Sequence, residues 1–342
     1  MVEDFINNLS TPLQMIAFLL ILVIGIFCLI KCCDVFLDCA SMIAKKFKIP
    51  KIIIGLTIVA MGTSIPELSV AISDSIASAL EGSYSNIGFS NVIGSNISNL
   101  LLVLSFACLF SPIIIKKQTK KDYGLMFFIT IILGLFVLLF GANKQILRWE
   151  AIILTSLIIF YIIYILATSK NKVVEEVNDE DDNTKIIKLI LLIILSAAGI
   201  AIGGELIVYS SKGIALNLST AANVNQDIAE TLVGLTIVAV GTSLPELVTT
   251  LIASKKGEND VALGNVIGSN IFNIIFVIGI SGTISPFAIA NFMIIDLLIL
   301  ISVTMFVMIF IFKGKLDKKH GLLFLSLYIC YVTYLIIRVL IS

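Results

Sequence analysis

GLTIVAMGTSIPEL at residues 55–68 returns as GLTIVAVGTSLPEL at residues 234–247. Twelve of the fourteen positions are identical, and the two that differ, Met61/Val240 and Ile65/Leu244, stay apolar. A second matched pair comes after: NVIGSNI occupies 91–97 and 265–271, with Asn99 and Asn273 each two residues further on. Each copy of the first stretch sets a glutamate, Glu67 or Glu246, in a long apolar run. Gly62 and Pro66 stand beside the first, Gly241 and Pro245 beside the second. A carboxylate in hydrocarbon costs about 2.5–3.5 kcal/mol on insertion scales, and packing has no use for it. Proline offers no N–H, so the carbonyl one turn back loses its helical partner. Two acids, each beside a helix break in a duplicated context, read as an ion site.

The surroundings of the motif are those of a membrane protein. The chain has 342 residues, 58% hydrophobic and 13% charged, with a mean hydropathy of +1.09. Soluble domains carry about 25% charged residues. A bilayer core needs about 20 apolar residues per helix. On that ruler the sequence predicts an all-α fold of ten transmembrane helices: 13–44, 51–80, 87–112, 124–142, 150–168, 186–216, 230–254, 260–285, 291–312 and 321–341. The acidic N-terminus, MVEDFINNLS, lacks the basic start of a signal peptide, so the first apolar run is expected to remain as a helix. The net charge is zero, which gives no case for nucleic acid. The six cysteines lie in apolar runs without a CxxC pair and read as small buried residues. His320 is the only histidine, which excludes imidazole metal sites and a histidine-based triad.

One polar segment, 169–185, carries Glu175, Glu176, Asp179, Glu180, Asp181 and Asp182. It has no DxDxDG spacing for calcium and reads as an acidic linker between residues 1–168 and 186–342, two five-helix halves. With the N-terminus outside, eighteen lysines fall in inward loops, and four basic residues, Lys144, Arg148, Lys212 and Arg338, fall outside. That bias puts both termini outside and the linker in the cytoplasm of a multi-pass plasma-membrane protein. Five helices is an odd number, so the second repeat enters inverted. The two motifs then meet near the midplane, as in transporters built from inverted repeats.

The donors in the motifs are all oxygen. Glu67 and Glu246 supply carboxylates; Thr63, Ser64, Thr242, Ser243, Ser95 and Ser269 supply hydroxyls; Asn99 and Asn273 supply amide carbonyls. The prolines free the carbonyls of Gly62 and Gly241, and strain there is expected to expose those of Ala60 and Ala239. Hard cations, calcium and sodium, want such ligands; zinc and copper want sulfur or imidazole. Gly94 and Gly268 suit close helix crossings. Among other intramembrane charges, Lys31, Asp34 and Asp38 are spaced for mutual pairing, Asp74 is placed at an outer entrance or facing water, and Asp296 has no evident partner.

GTSIPEL with NVIGSNISN, and GTSLPEL with NVIGSNIFN, resemble the two alpha repeats of the calcium/cation antiporter superfamily, and most of all the prokaryotic sodium/calcium exchangers. The resemblance spans the chain apart from the linker. It implies one calcium site and several sodium sites, with ligands at Ala60, Thr63, Ser64, Glu67, Ser95 and Asn99 and at Ala239, Thr242, Ser243, Glu246, Ser269 and Asn273. Some members carry aspartate where this chain has Asn273, which leaves two central acids here in place of three. The function expected is antiport of calcium against sodium by alternating access, without a cofactor, by a monomer in the lipid bilayer. A calcium/proton exchanger is the alternative and a cation channel a further rival. No ATP-binding loop and no HExxH or GxSxG motif is present, so neither a pump nor a hydrolase is expected.

Overall fold

The computed structural model describes residues 11–47, 51–82, 87–140, 145–169, 186–221 and 243–341. Among them eight helices are long and apolar enough to cross a membrane, and a bent pair makes a ninth. In chain order, α1 is Thr11–Lys46. Residues 51–63 form α2, and Ile65–Glu81 form α3, the two bent by 51° at Ser64. Next come α4 (residues 87–110), α5 (117–140), α6 (Arg148–Ser169) and α7 (Ile186–Ala221). The last four are α8 (Leu244–Lys255), α9 (Asn259–Ile284), α10 (Asn291–Lys313) and α11 (Lys318–Ile341). Of the expected helix 230–254, residues up to 242 lie outside the described set; α8 is its C-terminal part. The 169–185 linker lies outside it beyond residue 169.

The bundle is centred on α4 and α9, whose spans are 83% and 94% buried, against 17% for α1. These two helices carry the NVIGSNI copies, so the polar motif sits on the two most enclosed spans among the described residues. Close crossings depend on glycine. A Cβ on Gly55 would lie 2.6 Å from the Val261 carbonyl oxygen, and one on Gly268 would lie 2.7 Å from that of Leu56. Gly268 thus has the contact its sequence context suggested. The residues that match Leu56 in the second copy, around Leu235, lie outside the described set, and Gly94 meets nothing within 4 Å among the described residues. On the flank, α1 packs along α7, with Gly203 against the backbone of Leu29.

Two short strand pairs tie the loops together. β1 (Ile113–Ile114), after α4, pairs antiparallel with β4 (Lys315–Leu316), after α10. β2 (Gln145–Ile146), before α6, pairs with β3 (Phe287–Ala288), after α9. The loop after α4 therefore shares one end of the bundle with the loop after α10, and the loops before α6 and after α9 share an end likewise.

Two polar expectations change. Asp34 and Asp38 do not pair with Lys31; both meet Lys256 Nζ at 2.6 Å, while Lys31 lies 6.0 Å over the Phe27 ring. The acidic stripe of α1 faces the end of α8, where Ser41 also donates to Glu258 at 3.0 Å. Partial burial works against the Lys256 ammonium, but the two carboxylates outweigh it and hold its pKa above the usual lysine value. Asp296 has a partner after all: Arg338 Nη1, 42 residues on, donates to both its oxygens at 3.0 and 2.9 Å. Asp74 accepts the N–H of Gly88 at 3.0 Å, so it ties the start of α4 to α3. The six cysteines are unbridged; Cys33, Cys39 and Cys108 are buried, Cys28 and Cys32 partly so, and Cys330 lies on the surface of α11.

Candidate ion-binding site

The two helix breaks have the same backbone. Ser64 has φ −85° and ψ 7°, and Ser243 has φ −86° and ψ 0°. Each is followed by a helix with proline in its first two positions and the glutamate in its first turn. The sequence accounts for this: proline fits the first turn, where no N–H is needed, and breaks the helix before it. The positive end of each helix dipole favours a carboxylate in that turn.

Glu67 and Glu246 are both fully buried. Ser95 Oγ donates to Glu67 Oε1 at 2.9 Å. Ser64 Oγ, from the first copy, donates across to Glu246 Oε1 of the second at 3.3 Å. Ser243 Oγ donates to Ser95 Oγ at 3.4 Å, and Thr63 Oγ1 meets Ser269 Oγ at 3.4 Å. Asn273 Nδ2 donates to Ser95 Oγ at 3.5 Å and Asn96 Oδ1 at 3.0 Å. Eight of the twelve expected residues are therefore tied to one another by side-chain hydrogen bonds. Asn99 is buried one turn beyond Ser95, and its side chain makes no hydrogen bond among the described residues. The Ala60 carbonyl is not freed: it accepts the Ser64 N–H at 3.1 Å, because the helix holds as far as Thr63. Ala239 and Thr242 lie outside the described residues.

These bonds leave oxygens over. Glu67 Oε2, Glu246 Oε2, Asn273 Oδ1 and Asn99 Oδ1 are buried and accept no hydrogen bond among the described residues. No lysine or arginine there pairs with either acid. A buried acceptor without a donor costs several kcal/mol, and more when it carries charge. Four such oxygens around two acids suit a bare cation. Both copies also start a π turn at the asparagine: Asn99–Val103 and Asn273–Ile278. One surplus residue there changes which face the asparagine presents, and π turns concentrate at functional sites.

The sequence reading did not pick out Asn265 and Asn96. Asn265 Oδ1 accepts from Thr63 at 3.2 Å, and its Nδ2 donates to Thr250 at 3.0 Å. Asn96 accepts from Asn273 and donates to the Asn270 carbonyl at 3.3 Å. Both stand inside NVIGSNI, so the duplication itself was the available signal.

The family model for the sodium/calcium exchanger protein matches residues 17–168 and 188–337. The chain belongs to the sodium/calcium exchanger family. The two matched segments stop on either side of the acidic linker. The sodium/calcium exchanger MaX1 of Methanosarcina acetivorans is 35% identical, over 92% of this chain and 97% of that protein. The inner membrane protein YrbG of Escherichia coli is 30% identical, over 78% of this chain and 79% of its own length. Among solved structures, the sodium-calcium exchanger NCX_Mj soaked with sodium and strontium superposes with a TM-score of 0.78 at 29% identity, covering 93% of this chain and 99% of that one. This member of the family has its fully buried acids at the helix breaks of both duplicated motifs.

Proposed function

We propose that the chain is a secondary antiporter that exchanges calcium for sodium by alternating access. The observation that carries this reading is the pair of buried glutamates with oxygens left unbonded inside a cage of hydroxyls and amides. One calcium or two sodium ions neutralise the two carboxylates. Loaded, the site can be carried between its inward- and outward-facing states. Empty, it must bury unpaired charge, which is strongly unfavourable. That asymmetry makes flux depend on exchange. Protons would neutralise the acids too, but they need no cage, and the surrounding hydroxyls of Thr63, Ser64, Ser95, Ser243 and Ser269 favour sodium as the coupling ion. Ala239, Thr242, Asn99 and Asn273 complete the proposed ligand set, with the Ala60 carbonyl, already accepting the Ser64 N–H, contributing its second lone pair. Proteoliposomes loaded with sodium, protons or potassium in turn test this. Radiolabelled calcium should accumulate only against the sodium gradient; uptake driven by protons alone, or equal flux without any counter-ion, would replace antiport by one of its rivals.

The ten-helix inverted repeat is part of the proposal. The matched breaks at Ser64 and Ser243, the matched π turns and the crosswise strand pairs support it. Each strand pair joins loops that the lysine count puts on one side, β1 with β4 inside and β2 with β3 outside. Both termini are then outside, the linker is cytoplasmic, and the protein works as a monomer in the plasma membrane. A single cysteine placed at 175–182, in a background without the native cysteines, should react with impermeant maleimide only after the membrane is opened. Labelling in intact cells would reverse the orientation.

A further inference from the structure

A third duplication lies outside the two motifs. Residues 156–164 of α6 read SLIIFYIIY and residues 326–334 of α11 read SLYICYVTY, identical at five of nine positions, both tyrosines included. The second tyrosine of each pair is tied to an acid on the preceding helix, directly in the first copy and through an arginine in the second. Tyr164 donates to Asp122 on α5 at 2.9 Å. Tyr334 stands beside Arg338, which holds Asp296 on α10. The two acids correspond as well: each lies nine residues after the start of its strand, β1 or β3. These contacts fix the rotation of α6 and leave its first tyrosine turned to the bundle centre. There Tyr161, buried, donates its hydroxyl to the Leu56 carbonyl at 2.8 Å.

Leu56 belongs to the π turn Gly55–Val59, in which Ala60 N–H bonds to the Gly55 carbonyl five residues back. One surplus residue in that turn rotates the remainder of α2 by about 100° relative to a regular helix. That remainder carries Ala60, Thr63 and, at its end, Ser64. The Leu56 carbonyl is held on one side by Tyr161 and flanked on the other by Gly268, next to Ser269. It therefore stands where the register of α2 against α9 is set, the register on which the contacts of Thr63 with Ser269 and Asn265 depend.

Building on the ion-site reading above, we propose that Tyr161 is a positioning residue of that site: its hydroxyl pins the Leu56 π turn and so aims the ligands of α2 at α9.

Tyr161→Phe removes one oxygen and nothing else. Equilibrium binding of radiolabelled calcium to the purified protein should weaken by about two- to tenfold, the size of one net hydrogen bond. Exchange at saturating calcium should stay within about twofold, so the change falls on KM. Tyr123→Phe is the control: that hydroxyl is equally buried and donates to the Thr304 carbonyl at 3.0 Å, joining α5 to α10. It should lose thermal stability without any change in calcium affinity. Tyr161→Met, which also lacks the hydroxyl, should weaken binding likewise, and it carries the test if the phenylalanine variant fails to reach the membrane. Unchanged affinity in the Tyr161 variants overturns the proposal, as does equal weakening in Tyr123→Phe. Parent protein that binds no calcium overturns the ion-site reading and the brace with it, a result distinct from the others.

Discussion

Glu67→Gln and Glu246→Gln should each abolish sodium-driven calcium exchange in liposomes while leaving folded, inserted protein. Loss of a hydrogen-bond partner behind a metal ligand already lowers affinity about 10–100-fold, and loss of a carboxylate ligand lowers it further. The amide keeps the oxygen that Ser95 or Ser64 bonds, so the hydrogen bonds around it survive. Removing an unpaired buried charge does not itself weaken the fold. Exchange at the parental rate in either variant would strike that glutamate from the site.

These two acids were the most legible residues in the chain. A carboxylate in an apolar run has few explanations, and proline one residue before it marks the break that Ser64 and Ser243 adopt. Helix count and loop charge came from hydropathy alone. The sequence could not say which helix faces meet. Asp34 and Asp38 look paired with Lys31 along the chain, yet their partner Lys256 is more than 200 residues away. Arg338 was counted as a loop charge and proves to be the partner of Asp296. The spacing of a helix says which residues share a stripe, not what that stripe faces. Asn96 and Asn265 were missed for the same reason: α4 and α9 are buried all round, so no polar stripe singles out the face that meets the acids. Tyr161 reaches Leu56 across 105 residues, and its motif is too apolar to stand out in a helix that faces lipid.

Gly268→Ala should be the most damaging small change away from the acids. Its Cβ would come within 2.7 Å of the Leu56 carbonyl oxygen and 2.8 Å of the Ala60 methyl. Neither is the far end of a flexible side chain, so α9 must move off α2. Overpacking of this kind costs about 1–3 kcal/mol. The same displacement carries Ser269 away from Thr63, so exchange should drop by about 5–150-fold, the equivalent of that energy. Gly124→Ala, whose new methyl meets nothing within 4 Å among the described residues, should stay within about 0.5 kcal/mol of the parent. Thermal unfolding in detergent and calcium uptake read both effects. A Gly268→Ala protein with parental stability and uptake would mean that the α2–α9 crossing does not govern the site.

One two-acid site that holds either calcium or sodium is the centre of this account. Equilibrium binding of radiolabelled calcium to the purified protein, repeated over a sodium series, tests it most directly. The prediction is one calcium per chain, displaced completely by sodium with a Hill coefficient above one, and no binding in the Glu67→Gln, Glu246→Gln double variant. Calcium that stays bound at saturating sodium, or that binds the double variant as it binds the parent, would contradict it.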